Sequence, residues 1–316
     1  MWEIFVAIIL AIVEGLTEFA PVSSTGHMVL VKNILLNYRE PKGEVFIVVI
    51  QLGSMLAVTV VYWRRLLSLI GINVGEKEEK EQAIEPNQVQ THAQHQHAAS
   101  RDELLFEKAP KSPPTLSRRN KKKKNKLTLI HILLGMIPAA ICGVTFYDSI
   151  KSIMKSTSSV LLAIVVGGIL MIIAEKLGPK TRTKSLDEVS YGQALTIGLF
   201  QCLALWSGFS RSGSMMAGGL LVGIERRVAA DFAFILGLPM MMASSGKDLL
   251  ESWHMLNASD IPFFATGFIT AFIVSLFSIK FFLALLKRIN LTPFAIYRFI
   301  LAGVILLAVW AFNLPL

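Results

Sequence analysis

The chain has 316 residues, of which 53% are hydrophobic and only 17% charged. Soluble domains carry charge on about a quarter of their positions, so this composition excludes a soluble enzyme and places most of the chain in a bilayer. The net charge of +9 is gathered in the blocks Arg118–Lys126, Lys176–Lys184, Arg226–Arg227 and Lys287–Arg288, which read as cytoplasmic flanks of membrane segments and not as a nucleic-acid surface.

Along the chain, Trp2–Val13 comes first. It is apolar but shorter than the roughly 20 residues that cross a hydrocarbon core of about 30 Å. Glu3 and two following carboxylates argue against a cleaved signal peptide. The segment runs into "VEGLTEFAPVSSTGH", Val13–His27. Glu14 and Glu18 are four residues apart and share a helical face. At mid-membrane each ionised group costs about 2.5–3.5 kcal/mol, which marks a functional pathway. Ser23, Ser24 and Thr25 supply hydroxyls, and Gly26 offers a backbone amide at the start of the next helix, where an anion is favoured. Plain helix capping accounts for the same residues. His27, close behind two hydroxyls, reads as an acid–base group.

Val45–Trp63 is a spanning segment ending at Arg64–Arg65. Gly75–Lys126 is Glu/Lys-rich, then His-rich, then basic, the composition of a disordered cytoplasmic insert; His92, His95 and His97 read as linker residues. Leu127–Tyr147 and Val160–Ala174 are the next spans. Ala194–Trp206 is short and stops at "GFSRSGS", and Val228–Ala243, Ile261–Ile279 and Phe294–Phe312 complete the set. Cys142 and Cys202 lie in apolar segments without disulfide or zinc spacing, and read as inert thiols. The prediction is an all-α polytopic membrane protein with about six transmembrane helices.

The chain also repeats itself. "EGLTEFAPVSSTG" overlays "QCLALWSGFSRSG" at an offset of 187, with Leu16 on Leu203, Ser23 on Ser210, Thr25 on Ser212 and Gly26 on Gly213. Residues 1–74 with 127–178 form one repeat and 190–316 the other. The basic blocks make the first short segment dip from outside and the second from the cytoplasm, an inverted repeat with two re-entrant helical hairpins. Irregular backbone at that depth needs protein or a watery cavity around it, so the two polar tips should meet. In the second tip, Arg211 is expected to be the one guanidinium reaching the midplane. Its planar fork suits a phosphate, with Ser210, Ser212 and Gly213 beside it; a structural salt bridge to Glu14 or Glu18 is the competing use. Together these groups suit a phosphate-bearing lipid, and carboxylates beside phosphate imply a divalent cation, Mg²⁺ or Ca²⁺, held by Glu14 and Glu18.

With these residues in view, "VEGLTEFAPVSSTGHMVLV", "IQLGSMLAV", "LTLIHILLGMIPA", "FQCLALWSGFSRSG" and "PFAIYRF" resemble the undecaprenyl-diphosphate phosphatase family, also called the bacitracin-resistance proteins, over nearly the whole chain. The resemblance implies a bacterial plasma-membrane hydrolase. It would convert the lipid carrier diphosphate to monophosphate plus inorganic phosphate, at a site open to the extracytoplasmic side. The family's E-x-x-x-E motif matches Glu14 and Glu18, its serine–histidine element matches Ser23, Ser24 and His27, and its P-G-x-S-R-S-x-x-T motif falls on Ser207 through Met215. Ser207 replaces the proline and Met215 the threonine, with Ser214 offering a hydroxyl one position earlier. On this reading Ser24 is the nucleophile or positions water, His27 is its base, Glu18 and Glu14 hold metal, and Arg211 holds the diphosphate. A lipid-phosphate transporter using the same cavity, and an adaptor that recruits partners through its insert, are the competing readings. A Gly-x-x-x-Gly spacing within Gly218–Gly223 suits helix packing within the chain or in a homodimer.

Overall fold

A computed structural model describes residues 1–72, 126–146 and 156–311, apart from Arg39, Pro41, Trp253, Met255 and Leu256. The predicted insert lies outside the described residues except at Lys126, as do the outer ends of the Leu127–Tyr147 and Phe294–Phe312 spans.

The described residues are helical, with one isolated bridge between Thr183 and Ile224. Helix α1, Trp2–Thr17, runs straight through Glu14, because nothing before the Ala20–Pro21 turn breaks it. Helix α2, Ser24–Met28, continues into a π-helical turn, Val29–Leu35. Then come α3, Lys42–Leu69, α4, Leu129–Thr145, and α5, Thr157–Leu177. The second half repeats the order: α6, Tyr191–Leu203, α7, Arg211–Leu221, α8, Arg226–Ser252, α9, Ile261–Leu285, and α10, Thr292–Ala311. Five helices, α3, α5, α8, α9 and α10, are long and apolar enough to cross a membrane, and α4 is a shorter apolar helix. That matches the six predicted spans. The protein is a multi-pass, all-helical membrane protein.

Packing follows the duplication. Helix α1 of the first half lies on α9 of the second, and α6 of the second lies on α4 of the first, while α3 pairs with α8 and α5 with α10. The α4–α6 approach is close: a Cβ on Gly198 would fall 2.2 Å from the Gly135 carbonyl oxygen. The Gly218–Gly223 run also packs within the chain, Gly218 against Phe200 and Gly219 against Ala229. A central apolar cluster draws Phe19, Met55 and Met171 from the first half and Met216, Phe234 and Phe282 from the second. The exterior is equally apolar. Phe277 is 71% and Trp310 79% exposed, placements suited to hydrocarbon and not to water. Interhelical hydrogen bonds add direction, Ser275 Oγ donating to Ser54 Oγ (2.9 Å) and Ser245 Oγ to Gln51 Oε1 (3.0 Å).

At the end carrying Arg65 and Arg226, charged residues tie loops to helices. Arg65 Nη2 donates to Asp187 Oδ1 (2.5 Å), which also accepts from the Leu127 amide (2.9 Å), while Arg226 pairs with Glu175. Burial pushes the Asp187 carboxyl up, but Arg65 and the Leu127 amide pull it further down, below its ordinary value. A depressed carboxylate stabilises the fold above its unfolded value of about 3.9 and loses that contribution as pH falls toward the native one. In detergent, Asp187→Asn is expected to melt below the wild type at about pH 7, with the gap closing as pH drops below about 4.

Candidate active site

The two sequence knots are the two breaks between short helices. In the first, Ser23 takes φ 71° and ψ 91°; in the second, Ser210 takes φ 73° and ψ 115°. Among the described non-glycine residues only these two and Asn37 have positive φ, and such strained backbone persists where surrounding contacts over-determine it. Each serine caps the helix that follows: Ser23 Oγ accepts from the Gly26 amide (3.2 Å) and Ser210 Oγ from the Gly213 amide (3.3 Å). These two amides therefore serve the caps in this structure. The capping reading and the repeat come from the same residues, 187 positions apart.

The tips touch. Ser212 Oγ donates across the interface to the Ala20 carbonyl (3.2 Å), and lies 3.3 Å from Ser210 Oγ. Glu18 Oε1 is 3.9 Å from Arg211 Nη2, and Ser24 Oγ donates to Glu18 Oε2 at 2.7 Å. Thr25 is half-buried on the first turn of α2. Beside the Glu18–Arg211 pair, a small, partly open cavity is lined by the polar Glu18, Arg211 and Ser212 together with the apolar Met55, Met215, Phe234 and Met241. Arg211 Nη1 and Glu14 Oε1 are buried without a hydrogen-bond partner, a donor and an acceptor left open within one hairpin pair.

His27 is placed differently from expectation. Its Nδ1 meets the Ser23 carbonyl (2.8 Å) and its Nε2 the Tyr297 hydroxyl (2.7 Å). Ser24 bonds Glu18, so the pairing of Ser24 with a His27 base is absent here, and Glu18 holds that place. Met215 stands in the cavity wall, where the family motif would put a threonine, and Ser214 does not substitute for it: its hydroxyl turns back to the Arg211 carbonyl (3.0 Å).

A second correction concerns arginine. Arg298, on α10, is fully buried and donates to the carbonyls of Ala163 and Ile164 on α5 and of Gly208 and Phe209 in the second break. Arg211 is thus not the only guanidinium inside. Gly167 makes the room, since a Cβ there would lie 2.4 Å from Arg298 Nη2 and 2.6 Å from the Phe209 oxygen. Nothing in the sequence singles out Tyr297 and Arg298 as site residues: within "PFAIYRF", flanked by apolar positions, they read as part of a spanning helix.

The sequence matches the family described as bacitracin resistance protein BacA over residues 7–304. The chain belongs to this family. BacA proteins are the undecaprenyl pyrophosphate phosphatase family, and in this BacA chain the cavity beside the two breaks is lined on its polar part by Glu18, Arg211 and Ser212.

A metal would find a limited donor set. Among the described residues no group of three or more His, Cys, Asp or Glu comes together. Glu14 and Glu18 alone supply two carboxylates, and the open Glu14 Oε1 suits a hard cation that completes its shell with water and substrate phosphate. The residues fit such an ion.

Removing the Arg298 clamp would strand the Gly208 and Phe209 carbonyls of the second break away from water, while Ala163 and Ile164 keep their places within α5. Arg298→Leu is expected to destabilise the protein by about 2–4 kcal/mol, and Gly167→Ala to lower the melting temperature in the same direction, both read by thermal unfolding in detergent.

Proposed function

We propose that this BacA chain hydrolyses undecaprenyl diphosphate to undecaprenyl phosphate plus inorganic phosphate, and so recycles the carrier lipid and protects against bacitracin. The observation that carries this reading is Glu18 held between the Ser24 hydroxyl and the Arg211 guanidinium, at the edge of a cavity inside a membrane protein of this family.

Each group has a chemical task. Arg211, with one buried nitrogen still open, binds phosphate oxygens and offsets charge in a loose phosphoryl-transfer transition state. Ser24 Oγ attacks the terminal phosphorus, passing its proton to Glu18 Oε2; the anhydride bond breaks and the prenyl monophosphate leaves, taking that proton from Glu18. Water then attacks the phosphoserine, giving up a proton to reform the serine hydroxyl and release inorganic phosphate. A divalent cation, Mg²⁺ or Ca²⁺, bound by Glu14 with Glu18 would supply charge neutralisation on the diphosphate. Ser210, Ser212, Ser23, Thr25 and the Gly26 and Gly213 backbones shape the two tips around it. The prenyl tail is solvated by surrounding lipid. In this reading the site faces the extracytoplasmic side of a bacterial plasma membrane.

The cross-half pairing of helices also suits a carrier that moves the lipid phosphate. Detergent micelles offer no second compartment, so phosphate release from purified protein separates the two. Wild type is expected to release phosphate from a polyprenyl diphosphate, and EDTA to suppress this until Mg²⁺ is restored. Arg211→Ala and Ser24→Ala are each expected to lower kcat/KM by about a hundredfold or more. Near-normal turnover of Ser24→Ala would reject the phosphoserine step, and of Arg211→Ala the site itself.

A further inference from the structure

The His27 ring has both nitrogens engaged. A carbonyl only accepts, so the 2.8 Å contact with the Ser23 oxygen puts a proton on Nδ1; the ring is buried and its two partners, a carbonyl and a phenol, are both uncharged, which suits the neutral imidazole. Nε2 then carries the lone pair, and the 2.7 Å contact with Tyr297 is one in which the phenol donates. The same Ser23 carbonyl also accepts from the His27 backbone amide (3.3 Å). The two rings lie nearly parallel, 9° apart with centroids at 5.6 Å. Tyr297 itself sits on a fixed element: the next residue, Arg298, anchors α10 to α5 and to the second break through four carbonyls.

We propose that Tyr297 is a positioning residue for phosphoryl transfer, acting through His27 to hold Ser23 and thereby aim Ser24 at Glu18. The inference rests on the phosphatase reading above. Ser23 is the cap with φ 71°, a conformation that needs external contacts to persist, and its carbonyl is held by His27. Ser24 is the first residue after that cap, so a shift of Ser23 is a shift of the Ser24 hydroxyl relative to Glu18. With its lone pair occupied by Tyr297, His27 does not take the Ser24 proton; it is a strut between α2 and α10.

The test uses full-length protein in detergent, a short-chain polyprenyl diphosphate, and the variants Tyr297→Phe, His27→Gln and the double variant. Tyr297→Phe keeps the stacked ring and removes only the hydroxyl. Its kcat is expected to fall about fivefold, the size of one net hydrogen bond, with KM within about twofold. In the His27→Gln background the same change is expected to add less than about twofold, because residues acting through one another are not additive. A wild-type kcat in Tyr297→Phe, a loss confined to KM, or an equal loss in both backgrounds would overturn the proposal. ¹⁵N NMR of labelled histidine reads the strut without turnover: the signal that His27→Gln removes should report an Nδ1-protonated ring in wild type and a tautomer mixture in Tyr297→Phe. An unchanged His27 signal overturns the proposal even if the protein proves inactive, and a silent wild type with the expected NMR change counts against the phosphatase reading alone.

Discussion

Two interruptions of helical backbone, after Thr17 and after Leu203, are buried or half-buried among apolar helices where few hydrogen-bond partners are at hand, and most of the interior answers that constraint. Ser23 and Ser210 turn back to cap the helices that follow. Ser212 reaches the Ala20 carbonyl in the opposite break, and Arg298 gathers Gly208 and Phe209 together with two carbonyls of α5. A guanidinium is well matched to this task, since it carries five donors and no acceptor. The same pattern explains why Gly167 has no side chain: the clamp and a methyl group compete for one space.

Electrostatics inside the site depend on that scaffold. Glu18 is shared between a serine and an arginine, and the arginine and Glu14 each keep one buried atom open. Open polar atoms in a dry interior are unfavourable for folding, so their presence beside a cavity marks the place where stability gives way to binding. Met215 in the cavity wall narrows the polar side of that space to Arg211, Ser212 and Glu18.

Much of this was legible in the residues themselves. Apolar run length predicted the spanning helices because hydrocarbon thickness dictates it, and the 187-residue offset predicted two like-built breaks because the same Ser-x-x-Gly cap recurs in both. The meeting of the two tips, which brings Glu18 to Arg211, follows from the need of irregular backbone for protein or a cavity around it. Side-chain direction was harder. Ser24 and His27 share a helical face by spacing, yet the imidazole reaches the carbonyl four residues back, leaving Ser24 to Glu18; a choice between two nearby acceptors is not encoded in spacing. Arg298 was hidden because its partners are main-chain carbonyls from residues 163, 164, 208 and 209, which leave no pattern of side-chain types to read. Tyr297, one position earlier, is hidden for a different reason: its partner is a side chain, His27, but one 270 positions away.

The duplicated breaks share a backbone but not a chemistry. At the common offset Glu14 corresponds to Gln201, Glu18 to Leu205, His27 to Ser214, and Ser24 to Arg211. The hydroxyl that would attack and the cation that would steady its target thus occupy equivalent seats, each the first residue after a strained serine. Two identical halves would bring two hydroxyls or two guanidiniums to the meeting point, never one of each. Within a single polypeptide each seat can carry its own residue, and here the two complement one another.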